Sequence, residues 1–162
     1  MPLIKDNEVR QNTWIYVEDG DVGATPNGIS VPLDVLLDDP APLYARNTPL
    51  GVRLQPEDDP LDLEPHLDRL DLIEVSFPKY TDGRGYSQAQ LLRRRMGYTG
   101  ELRAVGHVLR DQLLYMHRSG FDAYVTDRAG LPSVMEAMDE FSSFYQPAAD
   151  RAQSVFAARH GL

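Results

Sequence analysis

The chain of 162 residues contains no cysteine. That excludes a disulfide, a thiolate nucleophile, cysteine-ligated zinc and an ordinary iron–sulfur cluster held by this chain. No apolar run approaches the roughly 18 residues needed to cross a bilayer. The opening residues, Met1-Pro2-Leu3-Ile4-Lys5-Asp6-Asn7-Glu8, lack the apolar stretch and small-residue cleavage site of a secretory signal. A cytoplasmic location is therefore expected, with no membrane partner. There is no Gly-Lys-Ser/Thr phosphate loop, no third glycine at dinucleotide-binding spacing and no Gly-x-Ser-x-Gly elbow. His66, His117 and His160 show no metal-ligand spacing with one another, so neither a metal nor a resident cofactor is expected.

What is present resembles an ordinary globular domain. Hydrophobic residues make up 42% and charged residues 25%, which excludes a disordered or fibrous chain. The length suits one domain over residues 1–162. Within it we distinguish an N-terminal segment of short strands and irregular chain (1–49), a regular core (50–145) and a tail (146–162).

The net charge of −9 is unevenly spread. Residues 1–78 hold 16 acidic against 5 basic side chains, whereas residues 79–128 hold 9 basic against 5 acidic. An acidic chain with one basic third is a poor nucleic-acid binder, because phosphate contacts must outweigh repulsion from the rest. It suits a local anion site or a charge-matched protein partner. Arg93, Arg94 and Arg95 are equally well read as a solvated basic helix face.

Hydrophobic periodicity gives the core its pattern. Strands are expected at 50–54, 72–77, 102–106 and 121–126, and helices at 62–70, 87–96, 107–119 and 131–145. Ser87 is the expected N-cap of the second helix. Earlier, 13–17 and 29–31 read as short strands and 33–37 as a short helix opened by Pro32. A short helix is also allowed in the tail over 148–158. Four consecutive βα units imply an α/β fold with a mainly parallel sheet. The expected architecture is like half of a (βα)₈ barrel, with an open doubly wound sheet as the alternative. A half-barrel exposes sheet edges, which the N-terminal strands or a second copy in a homodimer would cover.

Ligands gather at strand C-terminal ends in both architectures. There the segment Asp82-Gly83-Arg84-Gly85-Tyr86-Ser87 is the most informative. Its glycines permit close approach of a ligand, Ser87 opens a helix whose free N–H groups suit an anion, and Arg84 offers a planar donor fork. The alternative is a turn in which Asp82 and Ser87 cap backbone and Arg84 pairs with Asp82 or Asp127. His107, after Gly106 at a strand end, is a candidate general base that Asp111 would orient, or else an exposed first-turn histidine. Arg103 lies inside a strand and needs a partner, Glu101 or Asp111, or points into a site. The candidate catalytic pair is thus His107 and Asp82, and the candidate anion-binding set is Arg84, Gly85, Ser87 and Arg103. This set requires the 82–87 turn and the 106–107 step to share one rim. The stripe of Tyr80, Tyr86, Tyr98, Tyr115, Phe121, Tyr124, Phe141, Phe144 and Tyr145 reads as core and rim packing.

The run from Phe77 to Arg93, then Gly97-Tyr98-Thr99-Gly100-Glu101-Leu102-Arg103-Ala104-Val105-Gly106, then Asp111-Gln112-Leu113 and Arg118-Ser119-Gly120-Phe121-Asp122-Ala123, resembles the bacterial domain of unknown function 934 family. The resemblance is strongest over about residues 50–125. It implies that Asp82, Gly83, Arg84, Gly85, Ser87, Arg103, Gly106 and Asp111 belong to the family's pattern. It also implies a context, since members are commonly labelled predicted oxidoreductases and encoded beside assimilatory sulfite reductase. No established catalytic residue comes with it. The expected function is an accessory protein of assimilatory sulfite reduction, acting on the reductase or its redox partner or holding a small oxyanion. Reduction of sulfite itself needs haem and iron–sulfur chemistry, for which this chain has no thiolate ligands. The alternatives are an enzyme using the Arg/His site, and a flavin- or nucleotide-binding protein.

Overall fold

The computed structural model describes residues 2–6, 8–19, 25–126, 136, 148, 149 and 159. Eight strands form one sheet: β1 (Leu3–Lys5), β2 (Glu8–Arg10), β3 (Ile15–Tyr16), β4 (Ile29–Pro32), β5 (Leu50–Leu54), β6 (Leu72–Phe77), β7 (Glu101–Gly106) and β8 (Ala123–Val125). Their order is β2-β1-β8-β7-β6-β5-β4-β3. From β3 to β8 each strand pairs in parallel with its sequential neighbour. β1 runs antiparallel beside β8 and carries β2 on its outer side, so the N-terminal chain covers one edge. The result is a mixed α/β fold with a mostly parallel, curled half-barrel sheet.

Alternation along the strands separates two faces. Ile29, Val31, Val52, Leu54, Ile73, Val75, Phe77, Leu102, Ala104 and Tyr124 belong to the main core, together with Leu33, Leu36, Ala89, Leu92, Leu113 and Met116 from helical segments. The intervening positions Ser30, Arg53, Glu74, Ser76 and Arg103 face the other way.

Chain connectivity shows how strongly the sheet curls. β2 and β3 are its opposite edges, yet only a short segment joins Arg10 to Ile15. Fully extended, that segment reaches about 17 Å. The edges of a flat eight-stranded sheet would lie about 33 Å apart. The segment therefore straps the mouth of the half-barrel across the face opposite the helices. Trp14 holds it down: its ring lies so close to Gly28 and Gly51 that a Cβ there would approach it to 3.0 and 3.2 Å. The amide of Asn12 accepts from the Trp14 N–H at 3.1 Å.

The helical segments depart from the periodicity in instructive ways. The second core helix begins at Arg84, not Ser87. It comprises α3 (Arg84–Gln90) and a π-helical turn, Leu91–Arg95, with Gly83 as N-cap and no side-chain cap. The α1 (Leu33–Asp38) helix uses Pro32 as N-cap rather than as its first residue. Asp39 ends α1 in an extended conformation and caps a further helix, α2 (Pro40–Tyr44), by accepting from the Ala41 N–H. The expected helix at 62–70 is a 3₁₀ run, Pro60–Arg69, with Pro65 inside it lacking the N–H an α ladder needs. The expected helix at 107–119 is delayed, because Leu109 is extended. A 3₁₀ turn, Arg110–Gln112, then leads into α4 (Leu113–Ser119). The helices expected at 131–145 and 148–158 lie outside the described residues. Among the described residues no helix is long and apolar enough to cross a membrane.

Candidate functional site

The concave face carries a row of charge built by strand register. Arg53, Glu74 and Arg103 are direct neighbours across β5, β6 and β7. Glu74 is 2% exposed. Its Oε2 accepts from Arg53 Nε at 2.9 Å and the Ser30 hydroxyl at 2.9 Å, and lies 2.8 Å from Arg53 Nη2 in an ion pair. Arg103 is 1% exposed. It donates to Glu101 Oε1 from Nε at 2.7 Å and lies 2.5 Å from it through Nη2, while Nη1 reaches Asn12 Oδ1 at 3.1 Å and Glu74 Oε1 at 3.5 Å. Lys5 closes the chain on Glu101 Oε2 at 2.7 Å. Burial pushes the Glu101 carboxyl up, but Lys5 and Arg103 together outweigh it and hold the group below the usual carboxylate range. Each buried ion is thus matched, as its desolvation requires. The hydrogen-bonded cluster counts three cations, Lys5, Arg53 and Arg103, against two carboxylates, Glu74 and Glu101.

A pocket of about 250 Å³ opens on this row, lined by Asn12, Arg53, Glu74, Ser76, Val105, Gly106 and Val125. Ser76 and Gly106 place it toward the C-terminal ends of β6 and β7. Three donors on its wall have no protein partner among the described residues. Arg53 uses Nε and Nη2 on Glu74 and lays its guanidinium 3.6 Å from the Tyr16 ring centre, leaving Nη1. Asn12 must present Oδ1 to its two donors, Trp14 N–H and Arg103 Nη1, so its amide nitrogen is left. The Ser76 hydroxyl is the third. Val105, the cross-strand neighbour of Ser76, and Val125 also line it, and belong to a small apolar cluster with Leu3 and Ala123.

The residues singled out from the sequence do not converge there as a set. Arg84 forms a fork with Asp82, donating from Nε at 3.0 Å and Nη2 at 2.7 Å. The Arg84 hydrogen bonds hold the Asp82 carboxyl down at about 2. Asp82 also accepts from the Arg84 N–H at 3.1 Å, so the segment is a side-chain-capped turn. Gly85 is buried against the sheet. A Cβ there would stand 2.6 Å from Phe77 Cζ and 2.9 Å from Val75 Cγ1, so its small size serves helix–sheet packing. Ser87 is exposed on α3 and caps nothing. Arg84, Gly85 and Ser87 therefore sit on the helix side of the sheet, and Arg103 on the other. The expected single site joining them is not formed.

His107 meets the end of β6 and the residues just after it, ahead of the 82–87 turn. The His107 N–H donates to the Phe77 carbonyl at 2.7 Å, and the Tyr80 ring meets the imidazole edge-on at 5.4 Å. Gln112 ties the same loop down by donating to the Tyr80 carbonyl at 2.7 Å. Gly106 turns the chain here at φ +96°, where a Cβ would lie 2.6 Å from the Phe77 carbonyl oxygen. Asp111, expected to orient His107, lies in the 3₁₀ turn and acts on the Tyr86 phenol, which burial first and Asp111 second push up. Arg93 is a structural staple rather than a solvated side chain: it donates to the carbonyls of Gly120, Tyr98 and Gly100 and pairs with Asp122. Among the described residues no group of three metal-ligating side chains comes together.

Arg53, Glu74, Ser76 and Asn12 were not singled out by sequence reasoning. A signal for two of them existed. Arg53 and Glu74, like Arg103, are single ionisable residues inside otherwise apolar strands, one per repeat. Read together rather than separately, they form a cross-strand row. Asn12 had no such signal, because its place depends on the strap.

A family model described as "Bacterial protein of unknown function (DUF934)" matches residues 51–156. The chain belongs to this family. The matched segment contains β5 except Leu50, all of β6 to β8 and every residue of the Arg53–Glu74–Arg103 row, while the strap with Asn12 lies before it. No curated protein matches the chain.

Proposed function

We propose that this member of the DUF934 family is an accessory protein of assimilatory sulfite reduction that holds a small oxyanionic group in the concave pocket. The observation that carries the reading is the convergence of Arg53, Asn12 and Ser76, each with a donor unmatched among the described residues, on one cavity. An anion there would accept those donors and offset the surplus cation of the cluster behind them. The pathway comes from the gene context that the family resemblance implies. The chemistry of the chain agrees with an accessory role, since it has no thiolate to ligate the metal centres that carry six electrons to sulfite. The partner in this reading is the sulfite reductase or the protein that reduces it.

Co-purification from cells expressing the reductase, combined with deletion and growth on sulfate as sole sulfur source, tests the role. Retention of the reductase or its electron donor, and slowed growth rescued by the wild-type chain, are expected. Unimpaired growth with neither protein retained overturns it.

A further inference from the structure

We infer that the concave pocket takes a small organic monoanion, a carboxylate or sulfonate with a short carbon body, rather than a bare inorganic oxyanion. The inference rests on the oxyanion-pocket part of the proposed function and names its ligand class. Three features of the cavity set that class. Its charge suits one negative unit and opposes a second, because the hydrogen-bonded cluster carries three cations against two carboxylates, while Glu18 and Asp34 act on Tyr16 beside Arg53. Both Glu74 oxygens are engaged, Oε2 by Arg53 and Ser30 and Oε1 by Arg103, so the carboxylate repels a second negative charge and is not free to take a cation.

Its size exceeds a bare oxyanion. Water occupies about 30 Å³, so 250 Å³ corresponds to about eight waters, and an inorganic ion fills a small part of that. Its lining is mixed. Arg53 Nη1, the Asn12 amide nitrogen and the Ser76 hydroxyl offer donors, while Val105, the cross-strand neighbour of Ser76, and Val125, only 6% and 8% exposed, offer apolar surface. A ligand with a charged head and a hydrocarbon body matches both kinds of lining, as small-molecule sites commonly require.

Isothermal titration of the full-length protein with propane-1-sulfonate, butanoate, sulfite, sulfate, succinate and butan-1-ol tests this directly. At least one organic monoanion is expected to bind saturably, about tenfold or more tighter than sulfite, because its methylenes leave water against Val105 and Val125. Succinate and butan-1-ol are expected to bind at least tenfold more weakly than the best monoanion. Arg53→Gln should weaken the monoanion at least tenfold. Ser76→Leu should abolish binding by filling the cavity, with an unchanged thermal midpoint. If Arg53→Gln does not fold, Ser76→Leu still decides the matter.

Failure of every organic monoanion to saturate overturns the inference. So does equal binding of butan-1-ol, or unaltered binding in folded Ser76→Leu. Sulfite binding as tightly as the organic anions removes the carbon body while leaving the accessory reading in place. Tight organic binding together with normal growth of the deletion strain does the reverse.

Discussion

Two arginine–carboxylate pairs, Arg84–Asp82 and Arg103–Glu101, are equally close and have opposite surroundings. Arg84 spans both oxygens of Asp82 and Arg103 brings two nitrogens to one oxygen of Glu101, each with its shorter contact at 2.5–2.7 Å, yet the Arg84 side chain is 58% exposed and the Arg103 side chain 1%. Water screens the first pair, so it organises a turn and contributes little to holding the fold. The second stands in a low-dielectric row where removing one member strands another, so the fold depends on it. The glycine-rich turn is conspicuous in the sequence, but the hidden row borders the cavity. Conspicuous local chemistry marks where a chain turns, whereas ions placed inside apolar strands mark where a fold holds charge.

The sharpest attempt to break this contrast is Arg103→Met. It leaves Glu101 with Lys5 alone and removes the Arg103 contact from Glu74. A loss of about 3–5 kcal/mol is expected in urea unfolding. Loss comparable to that of a surface substitution would show that the row is not what holds the strands together.

Within the glycine-rich segment the two glycines should behave oppositely. Gly85→Ala drives a methyl against Phe77 and Val75 and should cost about 1–3 kcal/mol. Gly83→Ala meets nothing within 4 Å at a φ of −88°, and should be neutral or stabilising by about 0.4–1 kcal/mol. Denaturant midpoints of the two variants measure this difference.

Acid supplies a further test. Glu101 is held below the usual carboxylate range, so its contribution to stability is present above its unfolded value. That contribution is lost as pH falls through the lowered folded value. Glu101→Gln should therefore be less stable than wild type at neutral pH and show a shallower decline on acidification. Parallel pH curves would assign the acid sensitivity elsewhere.

The smallest effect belongs to Asp82→Asn and Arg84→Ala. Neither should move the thermal midpoint measurably at moderate salt, since Arg84 is largely exposed and solvent screens the pair. A clear drop in either would raise the exposed turn to the rank of the buried row.

Much of the fold was legible from the strands. Leu50–Leu54 and Leu72–Phe77 carry enough β-branched and aliphatic residues to be placed at their observed boundaries. Parallel pairing was expected from their alternation with helical stretches, but the strand order was not fixed by it, since a half-barrel and an open doubly wound sheet share that alternation. The helical segments were less legible at their ends. There backbone partners, such as the Gln112 contact to the Leu109 N–H, competed with hydrophobic period. β1 and β2 were not placed, because three-residue strands have no period to read and draw their stability from neighbours. The candidate pocket was the least legible part. Arg103 was flagged as needing a partner and finds Glu101, but its companions came from β5, β6 and a strap far away in sequence.

The sequence by itself determined which segments alternate between strand and helix, that no thiol chemistry is available, and that Arg103 requires an opposite charge. Those properties are local: backbone preference, side-chain period and the cost of burying an ion all act within a few residues. Only the tertiary structure decided that Arg53, Glu74 and Arg103 stand side by side, and that Asn12 crosses the mouth to meet them. It also decided that Arg84 faces away on the helix side. Register and curl set those relations, because one strand slipped by one residue turns every side chain to the other face.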